Sequence, residues 1–364
     1  MITTSNYSYK LNDLTKNKKY KLACFDLDHT LIKPKQGRVH PNSPEDFMLW
    51  NPIVLERLTE LEEQNYILVI FTNQNIKKKE ILEGRINTLK VHGIFDKVNF
   101  LAALEQDYCR KPNTGLFDLL LEKTHIKVDF QKSIMVGDAA GRVKVGSIKK
   151  DFSCGDRMFA ANIGLTFQTP EEFFLQEKER KFIMERVSDK LFPGYDNNYP
   201  SEYLQYQVIM LMAPPASGKS TLAKQLEKEG YYRINQDTLG TKGIRHSFNT
   251  MMKQLAKDLT KKIVLDNTNS KIDYRVSFTK YLTDLGIKYC LVQIDTTKEQ
   301  CFFLDNYRCK LEKKKKLPDV ALHSHFKFRE LPTLKEGFDK IFKIPFIPEF
   351  NSTKELAIFN QYYC

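Results

Sequence analysis

The sequence predicts an α/β fold arranged as two doubly wound domains, and three observations support this prediction. Several short apolar runs, suited to buried strands, alternate with segments of helical spacing. Many of these runs end in carboxylates, hydroxyls or amides, as expected where the ends of parallel strands form a ligand site. A stretch rich in proline, glycine and asparagine, 192–201, separates two sets of runs that carry different motifs.

The elements follow in order. Strands are predicted over 22–28, 67–71, 133–138, 207–212, 231–237, 262–269 and 289–294, and helices over 53–64, 115–123, 222–229 and 299–316. The domain bounds follow from these elements: a polar N-terminal arm over 1–20, a first domain over 21–192, a linker over 193–204 and a second domain over 205–364.

Composition restricts the classes of function. The 364 residues carry a formal net charge of +12, which favours polyanionic partners. The seven cysteines are scattered without a C-x-x-C pair, which indicates reduced thiols rather than a disulfide framework or a zinc site. No apolar run reaches the roughly 18 residues of a membrane span, and the first residues lack an apolar signal core. We therefore expect a cytosolic or nuclear protein.

Two carboxylates follow the first strand at positions i and i+2. Side chains with this spacing point the same way from an extended chain, so Asp26 and Asp28 can converge at the strand end. Two close carboxylates repel unless a cation or a proton separates them. Both outcomes suit phosphoryl transfer with Mg²⁺, one carboxylate as nucleophile and the other as general acid and base. Alternatively, the two aspartates only cap the next turn.

Further polar residues stand at or near other strand ends of the first domain. Asp138 is placed to complete a Mg²⁺ shell with Asp26 and the main-chain oxygen of Asp28. A hydroxyl and two amides after the second strand suit the binding of phosphate oxygens, or form an ordinary turn; they belong to Thr72, Asn73 and Gln74.

A loop of small residues between a strand and a helix marks the second domain. It consists of Ala213, Pro214, Pro215, Ala216, Ser217, Gly218, Lys219, Ser220 and Thr221. Backbone N–H groups in such a loop bind phosphate, Lys219 reaches the outer phosphates of ATP, and Ser220 binds Mg²⁺. Alanine replaces the usual first glycine at position 213, so ATP binding is either kept or weakened. Asp266, at the end of another strand, is a second Mg²⁺ or water-shell carboxylate.

The motifs of the first domain resemble those of haloacid-dehalogenase-type phosphatases. Five blocks in order, 72–74, 109–112, 136–142, 149–154 and 169–174, look like the polynucleotide kinase 3′-phosphatase family, whose second part is a P-loop kinase. The resemblance implies that Thr72 holds the transferring phosphoryl group and that Lys111 is a fixed positive charge, although Lys111 alone reads as a surface lysine. It also implies substrate contacts by Asn73, Gln74 and Arg142. It further implies a second acidic residue after Asp138, which either Asp151 or Asp156 supplies, and Asp156 is favoured because it stands just ahead of a helix.

In the second domain the same resemblance implies that Asp237 is the general base for a 5′-hydroxyl. The alternative for Asp237 is a helix N-cap. The resemblance further implies that Arg308 belongs to a lid over the ATP phosphates, although Asp305 replaces the histidine usual in the family pattern. The lysine run 313–316 fits a solvated face, contact with nucleic acid or a nuclear import signal.

The resemblance implies a DNA repair enzyme that removes 3′-phosphates and phosphorylates 5′-hydroxyls at strand breaks, using ATP and Mg²⁺. Expected partners are DNA ends and a DNA ligase or repair scaffold, with no membrane. We expect a monomer in the nucleus, with the cytoplasm as the alternative, and no N-terminal phosphopeptide-binding domain. Two rival hypotheses stay open: a phosphatase fused to a small-molecule kinase, and a 3′-phosphatase with a decayed kinase half.

Overall fold

The computed structural model describes residues 1–38, 40–193, 201–258 and 260–363. The chain divides into two compact units. Unit 1 comprises Met1–Val187, Cys309–Lys316 and Leu356–Cys364, and unit 2 comprises Ser188–Arg308 and Leu317–Glu355. The predicted domain bounds stay a prediction, and residues 194–200 of the predicted linker lie outside the described residues.

Unit 1 is built on a largely parallel sheet. Its strands are β1 (Ile2–Thr3), β2 (Tyr7–Lys10), β3 (Lys19–Phe25), β6 (Tyr66–Asn73), β7 (Asn99–Ala103), β8 (Lys127–Val128), β9 (Ile134–Val136) and β10 (Thr166–Gln168), and β4 (Ile32–Pro34) and β5 (Phe47–Leu49) form a separate hairpin. The order across the sheet is β1-β2-β7-β6-β3-β9-β10, with β8 beside β3. The segment predicted as a polar arm contributes β1 and β2, which are antiparallel to each other and to β7.

Helices cover both faces of this sheet, which explains why its central strands are apolar throughout. The helices are α1 (Ile53–Glu63), α2 (Lys79–Val91), α3 (Gly115–Thr124), α4 (Gly155–Ile163) and α5 (Pro170–Leu175). Alternate residues of β3 enter different cores: Ala23 and Phe25 pack on one face, and Leu22 and Cys24 on the other. A strand buried on both faces reads as a continuous apolar run, as the sequence does here.

Unit 2 repeats this plan with a smaller, fully parallel sheet. Its strands are β11 (Val208–Met212), β12 (Tyr231–Asn235), β13 (Lys262–Asp266), β14 (Tyr289–Asp295) and β15 (Lys340–Pro345), in the order β12-β13-β11-β14-β15. The helices are α6 (Val187–Leu191), α7 (Lys219–Lys228), α8 (Gln236–Leu255), α9 (Ile272–Asp284), α10 (Lys298–Glu312), α11 (Asp319–Phe328) and α12 (Thr353–Phe359). The α6, α10 and α12 helices each cross a boundary between the units.

A largely parallel sheet and a fully parallel sheet, each with apolar cores on both faces, confirm the predicted α/β class. Among the described helices, none combines the length and the apolar character that a membrane span requires.

Candidate active sites

Neighbouring parallel strands bring two of the predicted carboxylates of unit 1 to the same sheet edge. β3 pairs with β9 so that Phe25 stands opposite Val136, the last residue of β9. The N–H of Asp26 donates to the carbonyl of Val136 at 2.8 Å. Because parallel strands end at the same edge, Asp26 and Asp138 leave their strands beside each other.

Asp156, in the first turn of α4, completes a cluster of three carboxylates. One oxygen each of Asp26, Asp138 and Asp156 lies within 4.8 Å of the others. Gly137 permits this approach, because a Cβ there would lie 2.5 Å from Oδ2 of Asp156. The structure thus places Asp156 in the cluster. Asp151, its rival in the sequence, instead accepts from Arg142 Nε at 2.8 Å.

Lys111 inserts a positive charge into the cluster. Its Nζ donates to Oδ1 of Asp26 at 2.5 Å and to Oδ1 of Asp156 at 2.7 Å. The Lys111 side chain is only 2% exposed, so the alternative of an ordinary surface lysine is wrong. Asn73 fixes the lysine backbone, since its Nδ2 donates to the Lys111 carbonyl at 3.0 Å and its Oδ1 accepts from the Lys111 N–H at 2.9 Å.

The three carboxylates of the cluster carry more negative charge than the one lysine beside them balances. Burial raises the pKa of Asp26 to about 7, although Lys111 acts in the opposite direction. Burial and the neighbouring Asp26 hold the pKa of Asp138 well above its ordinary value. One lysine therefore does not offset the three carboxylates of the cluster, of which Asp26 and Asp156 are buried and Asp138 is half-buried. Their oxygen atoms fit a hard divalent cation such as Mg²⁺, which prefers oxygen ligands.

Asp28 lies outside the three-carboxylate cluster and is held by two donors. Arg85 Nε donates to its Oδ1 at 2.6 Å, and Gln74 Nε2 donates to its Oδ2 at 2.9 Å. Gln74 Nε2 also donates to Oγ1 of Thr72 at 2.7 Å, and Thr72 is buried. The Arg85 guanidinium also lies 4.8 Å from the ring centre of Phe47, in the β4–β5 hairpin.

In unit 2 the small-residue loop joins β11 to α7 as predicted. Ala216 and Gly218 adopt left-handed backbone conformations, with φ of 63° and 82°. Such a conformation disfavours alanine by roughly 1–2 kcal/mol, so the loop accommodates Ala216 at some cost. Oγ of Ser217 braces the loop by donating to the carbonyl of Pro214 at 2.8 Å. Ser220 lies half-buried and Thr221 exposed in the first turn of α7.

Lys219 meets Asp266 at the centre of unit 2. Its Nζ donates to Oδ1 of Asp266 at 2.5 Å, and the Asp266 side chain has no exposed surface. Oδ2 of Asp266 accepts from Arg233 Nε at 2.9 Å and from Asn235 Nδ2 at 2.7 Å. Burial opposes ionisation of Asp266, but Lys219 and the other donors more than compensate, so its pKa lies below its ordinary value.

The two remaining predicted residues of unit 2 lie at helix positions. Asn235, whose side chain accepts from the Thr238 N–H, caps α8, so the alternative of Asp237 as N-cap is wrong. Asp237 lies exposed in the first turn of that helix. Arg308, on α10, donates from Nη2 to Oδ1 of Asp305 at 2.8 Å. The aspartate that departs from the expected family pattern therefore pairs with the predicted lid arginine.

Comparison with known proteins matches both units. Residues 21–174 match a family described as polynucleotide kinase 3 phosphatase, and residues 208–303 match an AAA domain family. The bifunctional polynucleotide phosphatase/kinase of Schizosaccharomyces pombe is 33% identical over 368 residues, which cover 95% of this chain and 84% of that protein. This chain belongs to the bifunctional polynucleotide phosphatase/kinase family.

Two further relatives agree with this membership. A protein of Acanthamoeba polyphaga mimivirus, described as a candidate bifunctional polynucleotide phosphatase/kinase, is 30% identical over 90% of this chain and 85% of its own length. Polynucleotide 3′-phosphatase ZDP of Arabidopsis thaliana is 34% identical over 44% of this chain and 24% of that protein. The predicted resemblance is confirmed, and the chain combines a phosphatase part with a kinase part.

Three residues with predicted substrate contacts are engaged inside unit 1. Asn73 binds the Lys111 backbone, and Gln74 binds Asp28 and Thr72. Arg142 is buried between Asp151 and Glu171, with its Nη1 2.6 Å from Oε2 of Glu171. The contacts of Asn73 and Gln74 are with other predicted site residues, and a role in substrate binding stays a prediction for all three.

Sequence reasoning missed two arginines that contact predicted site residues. Arg85 binds Asp28, and Arg233 binds Asp266. Arg85 lies in the middle of α2 with no motif around it. The sequence gives a weak indication for Arg233. It stands two positions before Asn235 on β12, so the two side chains point to the same face of the sheet, and Asn235 lies opposite Asp266 on β13.

Proposed function

We propose that this chain removes 3′-phosphates and phosphorylates 5′-hydroxyls at DNA strand breaks, as an ATP-dependent and Mg²⁺-dependent repair enzyme. One observation carries the proposal: each unit holds its own cluster of buried charged side chains at the ends of parallel strands. In unit 1, Lys111 pairs with the buried Asp26 and Asp156, and the half-buried Asp138 lies beside them; in unit 2, Lys219 of the small-residue loop pairs with the buried Asp266.

In the phosphatase reaction a carboxylate oxygen of Asp26 attacks the phosphorus, and the bond to the 3′-oxygen breaks. Asp28 gives a proton to that leaving oxygen, then takes one from the water that hydrolyses the aspartyl-phosphate. Lys111 offsets the negative charge beside the nucleophile, and Thr72 holds the phosphoryl group. Asp26, Asp138, Asp156 and the main-chain oxygen of Asp28 would hold Mg²⁺, which supplies positive charge for the phosphate oxygens.

In the kinase reaction Asp237 takes the proton from the 5′-hydroxyl, whose oxygen attacks the γ-phosphorus of ATP as the bond to ADP breaks. The exposure of Asp237 leaves it accessible to a polynucleotide end. Loop N–H groups bind the ATP phosphates, and Lys219 and Arg308 bear on the transferring group. Ser220 and Asp266 would hold Mg²⁺.

A basic loop beside the phosphatase cluster supports a nucleic-acid substrate. The loop 142–152 lies between Asp138 and Asp156 in sequence. It carries Lys149 and Lys150 and, two positions after Lys150, Phe152, whose side chain is fully exposed. Lysines suit a phosphate backbone, and an exposed aromatic ring suits stacking on a base. A nuclear location, supported by the lysine run 313–316, belongs to the same proposal.

The decisive experiment presents a nicked DNA duplex with a 3′-phosphate and a 5′-hydroxyl, together with ATP and Mg²⁺. We expect loss of the 3′-phosphate and transfer of the γ-phosphoryl group to the 5′-hydroxyl, each resolved by gel after end-labelling. An unchanged 3′-end with an unchanged 5′-end would overturn the proposal. Transfer only to small hydroxyl compounds would favour a small-molecule kinase instead.

Salt dependence separates a polynucleotide substrate from a small phosphate ester. Because a basic protein releases counterions when it binds DNA, we expect the kcat/KM for DNA to fall steeply with added salt. The kcat/KM for p-nitrophenyl phosphate should change little in parallel assays. Equal salt dependence of both substrates would contradict DNA as the preferred substrate.

Mg²⁺ should stabilise unit 1 more strongly as the pH rises. The raised pKa of Asp26, about 7, means that the metal-free fold favours the protonated carboxyl. The contribution of Asp26 to the free energy of unfolding is complete below the pKa of the unfolded state, about 4, and is lost as the pH rises through the pKa of the folded state, about 7. We therefore expect Mg²⁺ to raise the Tm more at about pH 7.5 than at about pH 5.5.

Two variants test the assignment of this metal effect. Asp138→Asn should lose most of the Mg²⁺-induced rise in Tm, whereas Asp151→Asn, outside the cluster, should keep it. A Tm response to Mg²⁺ that does not depend on pH, or that persists unchanged in Asp138→Asn, would contradict Mg²⁺ binding at the cluster.

A further inference from the structure

The segment Leu356–Tyr363 follows the last strand of unit 2 in sequence but belongs to unit 1 in the structure. Residues Cys309–Lys316, from the end of α10, do the same. Both segments lie in the half of the sequence that carries the kinase motifs. Their place in unit 1 raises the question of what they do there.

Asn162, near the end of α4, connects Leu356–Tyr363 to the catalytic lysine loop. Its Oδ1 accepts from the N–H of Tyr362 at 2.8 Å, and its Nδ2 donates to the carbonyl of Tyr362 at 2.9 Å. The same Nδ2 also donates to the carbonyl of Pro112 at 2.9 Å. Pro112 directly follows Lys111, and α4 begins one residue before Asp156. The Asn162 side chain thus connects the segment to the residue that follows Lys111, and Asn162 itself lies on the helix that carries Asp156.

The segment is held in place by specific contacts within unit 1. Lys310 donates from Nζ to Oε1 of Gln361 at 2.9 Å, and its ammonium lies 3.8 Å from the ring centre of Tyr363. Tyr363 is only 3% exposed. These contacts fix the backbone of Tyr362, so it presents its N–H and carbonyl to Asn162 in a defined position.

We propose that Asn162 and the segment Leu356–Tyr363 together position the Lys111 loop for the phosphatase reaction. This inference rests on the proposed phosphatase activity of the Asp26 cluster. Lys111 must place its ammonium between Asp26 and Asp156, and its loop is fixed from two sides. Asn73 binds the Lys111 backbone on one side, and Asn162 binds the next carbonyl on the other. Asn162 is a positioning residue, because its described hydrogen bonds go to the main chain of Pro112 and Tyr362 and not to a cluster carboxylate.

A matched pair of variants at one position tests the role of the segment. Tyr362→Pro removes the N–H that Asn162 accepts, whereas Tyr362→Ala removes the ring and keeps that N–H. Asn162→Leu removes all three hydrogen bonds with little change in volume. Because a small displacement of a catalytic group costs up to about 100-fold, we expect Asn162→Leu and Tyr362→Pro to lower the phosphatase kcat about 10- to 100-fold.

The pattern of effects distinguishes positioning from general damage to the fold. KM should stay within about threefold, 5′-kinase activity should persist, and Tyr362→Ala should stay within about threefold of the unmodified protein. The double variant Asn162→Leu/Tyr362→Pro should have a phosphatase kcat no lower than that of the less active single variant, because both substitutions remove the same connection.

The assay should use p-nitrophenyl phosphate as well as 3′-phosphorylated DNA. If the unmodified protein hydrolyses only the small ester, DNA fails as the substrate, but the ester still reports the positioning of Lys111. The inference is overturned if Asn162→Leu and Tyr362→Pro both keep phosphatase kcat within twofold. It is equally overturned if kinase activity, Tm and phosphatase activity fall together, because that result indicates a purely structural role.

Discussion

Lys111→Met should lower the 3′-phosphatase kcat about 1,000-fold or more and leave 5′-kinase activity unchanged. Methionine keeps most of the side-chain volume but removes the charge that lies 2.5 Å from Asp26 and 2.7 Å from Asp156. Removal of one preorganised donor from a buried site typically costs about 100- to 1,000-fold in kcat. Here the loss also leaves the buried Asp26 and Asp156 without the lysine they share, which adds repulsion against an incoming phosphate.

The assay should run at saturating Mg²⁺, with the kinase activity of the same variant as the control for folding. A second control is Lys123→Met on α3, where the lysine side chain is 41% exposed and pairs only with the exposed Glu122 among the salt bridges described. That variant should leave both activities unchanged. A Lys111→Met protein that keeps more than a tenth of the phosphatase kcat would show that the lysine is not essential to the reaction.

The sequence predicted the meeting of Asp26 and Asp138 because the rule behind it is general. Parallel strands end at a common edge, so polar residues directly after β3, β6 and β9 had to lie near one another. The same reasoning located the loop from Ala213 to Thr221 after β11 and Asp266 at the end of β13. The positions of the strand ends thus allowed these parts of both sites to be predicted from the sequence, although the roles of the residues stay predictions.

Other parts of both sites depend on contacts that no local pattern encodes. Arg85 reaches Asp28 from a helix surface, and its neighbours in sequence do not distinguish it from an exposed arginine. The hydrogen bonds between Asn162 and Tyr362 span 200 positions. The first residues look polar and were expected to form an arm, yet Tyr7–Lys10 adds an edge strand to the sheet. Tertiary packing decides such contacts, and one sequence gives little information about it.

Arg275→Met should lower the free energy of unfolding of unit 2 by about 3–5 kcal/mol, because it leaves Glu336 charged and buried without its partner. Arg275 has no exposed surface, and it donates to Glu336 at 2.6 Å and 2.9 Å. Its Nη1 also donates to the carbonyls of Asn269 and Glu330. The measurement is calorimetry, following the transition that ATP shifts to higher temperature, since that transition reports on the kinase unit.

The double variant Arg275→Met/Glu336→Leu separates the effect of an unpaired charge from that of lost packing. Replacement of both partners removes the buried charge, so the double variant should be more stable than Arg275→Met. It should remain less stable than the unmodified protein, because the carbonyls of Asn269 and Glu330 lose a donor and the Thr333 N–H loses its acceptor on Glu336. Lys271→Met, at an ion pair whose side chains are 50% and 41% exposed, should cost no more than about 1 kcal/mol. If the double variant is as unstable as Arg275→Met, packing and the two carbonyls, rather than the ion pair, account for the stability that Arg275 provides.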